Sequence, residues 1–148
     1  MTTGVDLVEL QIRAAAGEKL TVPDTRPWSF RGHAIECRIN AEDPRSFAPW
    51  PGLITGYHAP GGGGVRVDSG VYGGFRVPPN YDAMLAKVIT HAPTRAEAIQ
   101  KMRVALDEFI IEGIRTNIPL HRALLNDPEV VEGRMSTRTI ERLVARGF

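Results

Sequence analysis

Residues 32–40, GHAIECRIN, alternate in character with a period of two, a pattern that fits a strand and that no helix can accommodate. His33, Ile35, Cys37 and Ile39 fall on one face, and Ala34, Glu36, Arg38 and Asn40 on the other. One face is therefore fit to cover a core while the other carries charge into the open. Such a strand needs partners, and the chain supplies them without helices in between. Residues 53–58 and 65–68 read as further strands, with APGGGG (59–64) as a wide turn between them. Residues 84–90 make a short apolar strand carrying Lys87. Adjacent strands joined by turns pair antiparallel.

Helical patterns sit at the two ends. Thr3 is placed to cap a first helix with Asp6 three residues on; Val5, Val8, Ile12 and Ala16 recur at helical spacing, and Gly17 is a natural stop. The Pro-rich, aromatic segment 20–30 suits an extended connector. After Pro93, Thr94 and Glu97 form a capping box, followed by a stripe of Ile99, Met102, Leu106 and Phe109. A short apolar piece, FIIEGI (109–114), comes next. Asn117 can cap a helix through Leu125 that ends before Asp127-Pro128, and Ser136 or Thr137 can start a last one, TIERLVAR (139–146). The expectation is an α+β domain over residues 1–148: a mainly antiparallel sheet of short strands flanked by N- and C-terminal helices.

Composition narrows the function classes. Eighteen Lys and Arg against 17 Asp and Glu leave a net charge of +1, which provides no electrostatic footprint for nucleic acid or anionic lipid. No apolar run approaches a membrane span, and MTTGVDLVEL lacks the basic and apolar regions of a secretory signal. A single cysteine, Cys37, excludes an internal disulfide and sits where a buried thiol is expected, so a reducing cytoplasm or organelle interior fits, with the cytoplasm the expectation. The four histidines (His33, His58, His91 and His121) stand singly, without ligand spacing, and no metal site is expected of them. Gly61 to Gly64 lack the lysine, hydroxyl residue and helix that must follow in a phosphate loop; Val65, Arg66, Val67 and Asp68 follow instead.

Glu36 and Arg38 are more informative. Two residues apart on a strand, they share a face and lie about 6.6 Å apart along it. A guanidinium beside a carboxylate is a charged group of fixed orientation. From the pattern alone the expectation is a cross-strand or surface ion pair, because charged residues on a strand usually face solvent, with a binding site as the alternative. The Tyr81-Asp82 pair after Pro78-Pro79 is open to the same two readings.

Four blocks taken together go further. RGHAIECRINAEDP (31–44), HAPGGGGVRVDSGVY (58–72), VPPNYDAMLAKVI (77–89) and EGIRTN (112–117) resemble, in order and spacing, the C-terminal domain of biotin carboxylases. The likeness runs from Thr3 to about Arg142, and the ECRINAEDP form looks most like the biotin carboxylase subunit of acetyl-CoA carboxylase. The resemblance implies a ligase in which ATP activates bicarbonate and the carboxyl group passes to biotin on a carrier protein. It places Arg38 against the biotin ureido oxygen, where a fixed cation meets charge that develops during reaction. By the same likeness Glu36 orients that arginine, Tyr81 and Asp82 lie beside the pocket with the Asp82 carboxylate helping to hold Arg38, and Thr137 and Arg138 belong to a stretch flanking adenine. Arg66 matches a homodimer-interface position; three residues earlier several members carry phenylalanine and this chain has Gly63, a departure that bears on the dimer contact.

The resemblance also implies what lies elsewhere. The N-terminal and ATP-grasp domains, with the residues that take ATP and Mg²⁺, are expected upstream of Met1. The chain alone is then expected to be inactive and to act with that ATP-grasp domain and with a biotin carboxyl carrier protein. The rival expectation is a free-standing module that docks a biotin carrier or a carboxylase partner without doing chemistry.

Overall fold

A computed structural model describes residues 1–20, 22 and 30–148. The strand expected at 32–40 is β1 (His33–Asn40), and it pairs antiparallel with β6 (Met84–Ala92) from His33 opposite Ala92 to Asn40 opposite Met84. The far edge of β6 takes β4 (Val65–Ser69), so the sheet order is β1-β6-β4 with β6 central. Two shorter ladders complete the strands: β2 (Gly52–Leu53) with β5 (Arg76–Val77), and β3 (Gly56–His58) with β7 (Ile110–Glu112). Every strand pairing among the described residues is antiparallel, as expected, but the strands divide into three sheets rather than one.

Residues 53–58, expected as one strand, are two. Ile54 donates to Phe75 O at 2.9 Å and Thr55 donates to Glu112 O at 2.9 Å, so successive residues bond to different ladders. Ile54 is fully buried at this crossover. Gly113 permits the close approach: its φ is +91°, and a Cβ there would collide with the Leu53 carbonyl oxygen.

One face of the large sheet is covered by α2 (Arg95–Glu108), which follows β6 directly. The expected capping box is present: the Thr94 hydroxyl accepts from Glu97 N at 3.3 Å, and Thr94 N donates to the Glu97 carboxylate at 2.9 Å. Ile99, Met102 and Leu106 on the helix, with Phe109 just past its end, meet Cys37 and Ile39 of β1 and Ala86 and Val88 of β6 in the main core. A smaller core of Ala41, Ile54, Val77 and Leu85 lies around the β2–β5 ladder, with Val71 and Phe75 packed against it.

The remaining helices are α1 (Leu7–Ala15), α3 (Ile118–Asn126), α4 (Pro128–Val131) and α5 (Arg138–Arg146). Asp6, not Thr3, caps α1: its carboxylate accepts from Val8 N and Glu9 N, both at 3.0 Å, because a carboxylate one residue before the first turn reaches two free N–H groups. No residue of α1 is buried. The short α4 was not expected; Asp127-Pro128 does end α3, but it also starts a new turn, with Asp127 capping Glu129 N at 2.9 Å. Thr137 occupies the N-cap of α5 without a side-chain bond, and Thr139 Oγ1 instead accepts from Ser136 N at 2.9 Å. The extended connector expected at 20–30 falls mostly outside the described residues.

Replacing Leu106, fully buried in the main core, by alanine should cost about 2–5 kcal/mol. Thr94→Ala, which removes only the cap, should cost about 1 kcal/mol. Urea unfolding of both variants checks the order.

Candidate functional site

The pleat decides which side chains reach the uncovered face of the large sheet. Register sets Arg38 of β1 opposite Lys87 of β6, and Lys87 opposite Asp68 of β4; the next row is Glu36, Ile89 and Arg66. Directly opposed residues carry Cβ atoms about 4.5–5.5 Å apart on the same face, so Arg38, Lys87 and Asp68 form one cross-sheet row. Arg38 is well exposed, at 66% of its side chain, and its Nε meets Glu36 Oε1 at 3.4 Å. The orienting role expected of Glu36 thus has a direct contact behind it, long for a hydrogen bond.

Beyond Lys87 the row opens into a cleft of about 570 Å³. Asp68 and Lys87 line its sheet side, Val71, Phe75 and Val77 its apolar wall, and Tyr81 and Asp82 stand at it too. Tyr81 is 81% exposed, an unusual position for so large a ring. Asp82 makes no ion pair with Arg38 among the described residues; the carboxylate against that guanidinium is Glu36. Arg66 donates two hydrogen bonds to Asp68, at 2.8 and 2.9 Å, and this pairing holds the Asp68 carboxyl below its ordinary value. Gly63 lies in the turn before β4, where an added Cβ would meet nothing within 4 Å, and its carbonyl accepts from Lys101 Nζ at 2.8 Å. Thr137 and Arg138 lie at the start of α5 and are not among the residues lining the cleft.

The backbone of β1 is held from its free edge by α3. Asn117, expected as a simple helix cap, makes no capping bond. Its side chain turns to the strand instead: Oδ1 accepts from Asn40 N at 2.9 Å and Nδ2 donates to Arg38 O at 3.0 Å. Asn117 N donates to Asn40 O at 3.2 Å. One turn further on, His121 Nε2 donates to the same Arg38 carbonyl at 2.8 Å, and burial pushes the His121 ring towards its neutral form. Nearby, Arg115 pairs with Asp43 and lies 4.5 Å from the Trp50 ring, tying the loop before α3 to the loop after β1. Asp43 also accepts from the backbone N–H groups of Ser46 and Arg45, and these bonds, with Arg115, hold its carboxyl far below the usual range.

Alternation placed Arg38 and Glu36 on one face of β1, and the structure has them there in contact. Sequence reasoning treated Lys87 as a strand residue, Asp68 as part of a turn-to-strand pattern and Asn117 as a cap. The signal for the first two is register, which alternation alone leaves open.

An antiparallel sheet with a one-sided core, an exposed guanidinium on its other face and helices at both ends defines an α+β domain with an open cleft of this size beside the sheet. Comparison with known proteins makes this specific. Residues 36–142 match the family model of the biotin carboxylase C-terminal domain, and the chain belongs to that family. It is 51% identical over 142 residues to a biotin carboxylase of Pseudomonas aeruginosa, which covers 96% of this chain and 31% of the relative. It is also 51% identical over 140 residues to a pyruvate carboxylase subunit of Methanothermobacter thermautotrophicus, covering 94% of this chain and 28% of that protein. Among solved structures, the biotin carboxylase domain dimer of Hydrogenobacter thermophilus 2-oxoglutarate carboxylase, in complex with MgADP and bicarbonate, superposes with a TM-score of 0.91 at 44% identity, over 96% of this chain and 31% of that one. The chain therefore spans about a third of the length of the relatives it matches.

Cys37 lies on the core side of β1, back to back with this face. Burial, and then the nearby Glu36 charge, push its thiol up from 9.0 to about 12. A raised value in the fold means that the stabilisation from the protonated thiol is complete below about pH 9 and is lost as pH rises towards 12. Urea midpoints should therefore fall across that window more steeply for the native chain than for Cys37→Ala. At pH 7.5 a thiol-labelling reagent should react with Cys37 only once urea has unfolded the protein.

Proposed function

We propose that this chain is the C-terminal domain of a biotin carboxylase, the ligase that uses ATP and bicarbonate to carboxylate biotin on a carrier protein. The observation that carries the reading is Arg38: an exposed guanidinium, lightly held by Glu36, on an uncovered sheet face beside the cleft lined by Lys87, Tyr81 and Asp82. Biotin, attached to its carrier, supplies a ureido nitrogen as carboxyl acceptor. The residues present fit that group: the cleft pairs an apolar wall for its ring system with Lys87 on its sheet side, and Arg38, outside the lining itself, lies next to Lys87 across the sheet, where it can meet the carbonyl oxygen. Deprotonating the ureido nitrogen places negative charge on that oxygen. Arg38 offers a charge-assisted hydrogen bond there, worth about 1.5–3 kcal/mol net.

The same proposal assigns ATP, Mg²⁺ and the activation of bicarbonate to an upstream ATP-grasp portion of a longer parent chain, consistent with the third of the relatives' length spanned here. The ECRINAEDP sequence (36–44) supports the acetyl-CoA carboxylase type, hence a place in fatty acid synthesis in the cytoplasm. Matches to pyruvate and 2-oxoglutarate carboxylases make the downstream acceptor the finer part of this reading. Arg66 and the loop at Gly63 are the proposed homodimer contact, with the aromatic anchor found in several members missing at Gly63. Thr137 and Arg138 are proposed to flank the adenine when the domains are joined.

In the full-length enzyme, Arg38→Ala should lower biotin-dependent turnover by about 10²–10³-fold while leaving the melting temperature nearly unchanged. Unchanged turnover would remove Arg38 from the reaction. The chain of 148 residues by itself should unfold cooperatively yet give no heat of ATP binding in calorimetry; a micromolar isotherm would overturn the division of labour.

A further inference from the structure

Given the assignment of Arg38 to the ureido oxygen, we propose that Asn117 and His121 are positioning residues for it, acting as a two-donor clamp on its backbone carbonyl. The Arg38 carbonyl lies on the edge of β1 that no strand covers among the described residues. It receives Asn117 Nδ2 at 3.0 Å and His121 Nε2 at 2.8 Å, filling both of its acceptor sites. Closing a strand edge would need only one donor per carbonyl. Asn40, two residues on, has its N–H and C=O met by the Asn117 side chain and backbone, so Asn117 plays the part of a ladder partner. The second donor at Arg38, from a different turn of α3, is additional to that.

Two donors from different directions fix the plane of the peptide that follows Arg38. That plane sets the Cα–Cβ direction, and with it the origin of a long, flexible side chain whose head is 66% exposed. Glu36 restrains the head only at 3.4 Å, so the root carries much of the orientation. The clamp itself is built to be stiff. Asn117 is 6% exposed, burial disfavours the charged form of His121, and a carbonyl acceptor requires the proton on the Nε2 that faces it. Displacing a reacting group by about 1 Å can cost on the order of 10²-fold in rate. A clamp that restrains the root should thus act on turnover without touching substrate.

The test uses the full-length carboxylase with free biotin and reads kcat and KM for biotin, ATP hydrolysis without biotin, and melting temperature. His121→Ala should lower biotin-dependent kcat by about 10-fold with KM for ATP and biotin-independent ATP hydrolysis unchanged. His121→Gln, which keeps a donor near Nε2, should restore most of it. Asn117→Asp keeps the acceptor for Asn40 and loses the donor to Arg38, so it should behave as His121→Ala does; where it fails to fold, the His121 pair carries the test. In an Arg38→Ala background, His121→Ala should cause no further loss. The clamp is refuted if His121→Ala costs the same factor in both backgrounds, if ATP hydrolysis without biotin falls in step, or if turnover is untouched while Arg38→Ala cripples it. Full turnover in Arg38→Ala itself would refute the underlying assignment instead, and the clamp with it.

Discussion

The long antiparallel pairing of β1 with β6 is the contact on which the rest of the molecule depends. β6 has hydrogen-bonded neighbours on both sides, and its core-side residues Ala86, Val88 and Thr90 are buried beneath α2. Because side chains alternate along a strand, sealing that face commits the opposite one. Slipping the register by one residue would bury Arg38 and Glu36 and expose Cys37 and Ile39, at a cost no domain of this size tolerates. The location of the candidate site is thus a by-product of core formation. Only its precision calls for further interactions.

Those interactions come from the C-terminal third. EGIRTN (112–117) supplies Gly113 for the close approach to Leu53, Arg115 for the contact with Asp43 and Trp50, and Asn117 for the free edge of β1. Three of the six residues of one short block each grip a different part of the first half of the chain. The sheet therefore need not be large to be well defined, and two small ladders of two or three residues suffice around it.

Much of this was legible in the residues because it is periodic or local. Alternation located β1 with its correct faces, and the Thr94–Glu97 capping box with its apolar stripe located α2. What was not legible depended on long-range geometry. Residues 53–58 look like one strand since nothing local marks Ile54 as the point where hydrogen bonding passes from Phe75 to Glu112. Asn117 has the residue type and place of a helix cap, and only the presence of β1 beside it diverts its amide. Lys87 and Asp68 join Arg38 through register, which alternation does not specify. Family likeness reached Arg38 by another route, from motif order, and the geometry then supplied its surroundings.

The bond from His121 to the Arg38 carbonyl joins residues 83 positions apart. During synthesis the strand carrying Arg38 leaves the ribosome long before the helix that grips it, by roughly 4–17 s at 5–20 residues per second. Until β6 (Met84–Ala92) has been made β1 has neither strand nor helix beside it, and α3 follows later still. The feature that finally fixes the arginine is therefore among the last to be made, and a nascent chain halted after β6 would carry the residue without its aim.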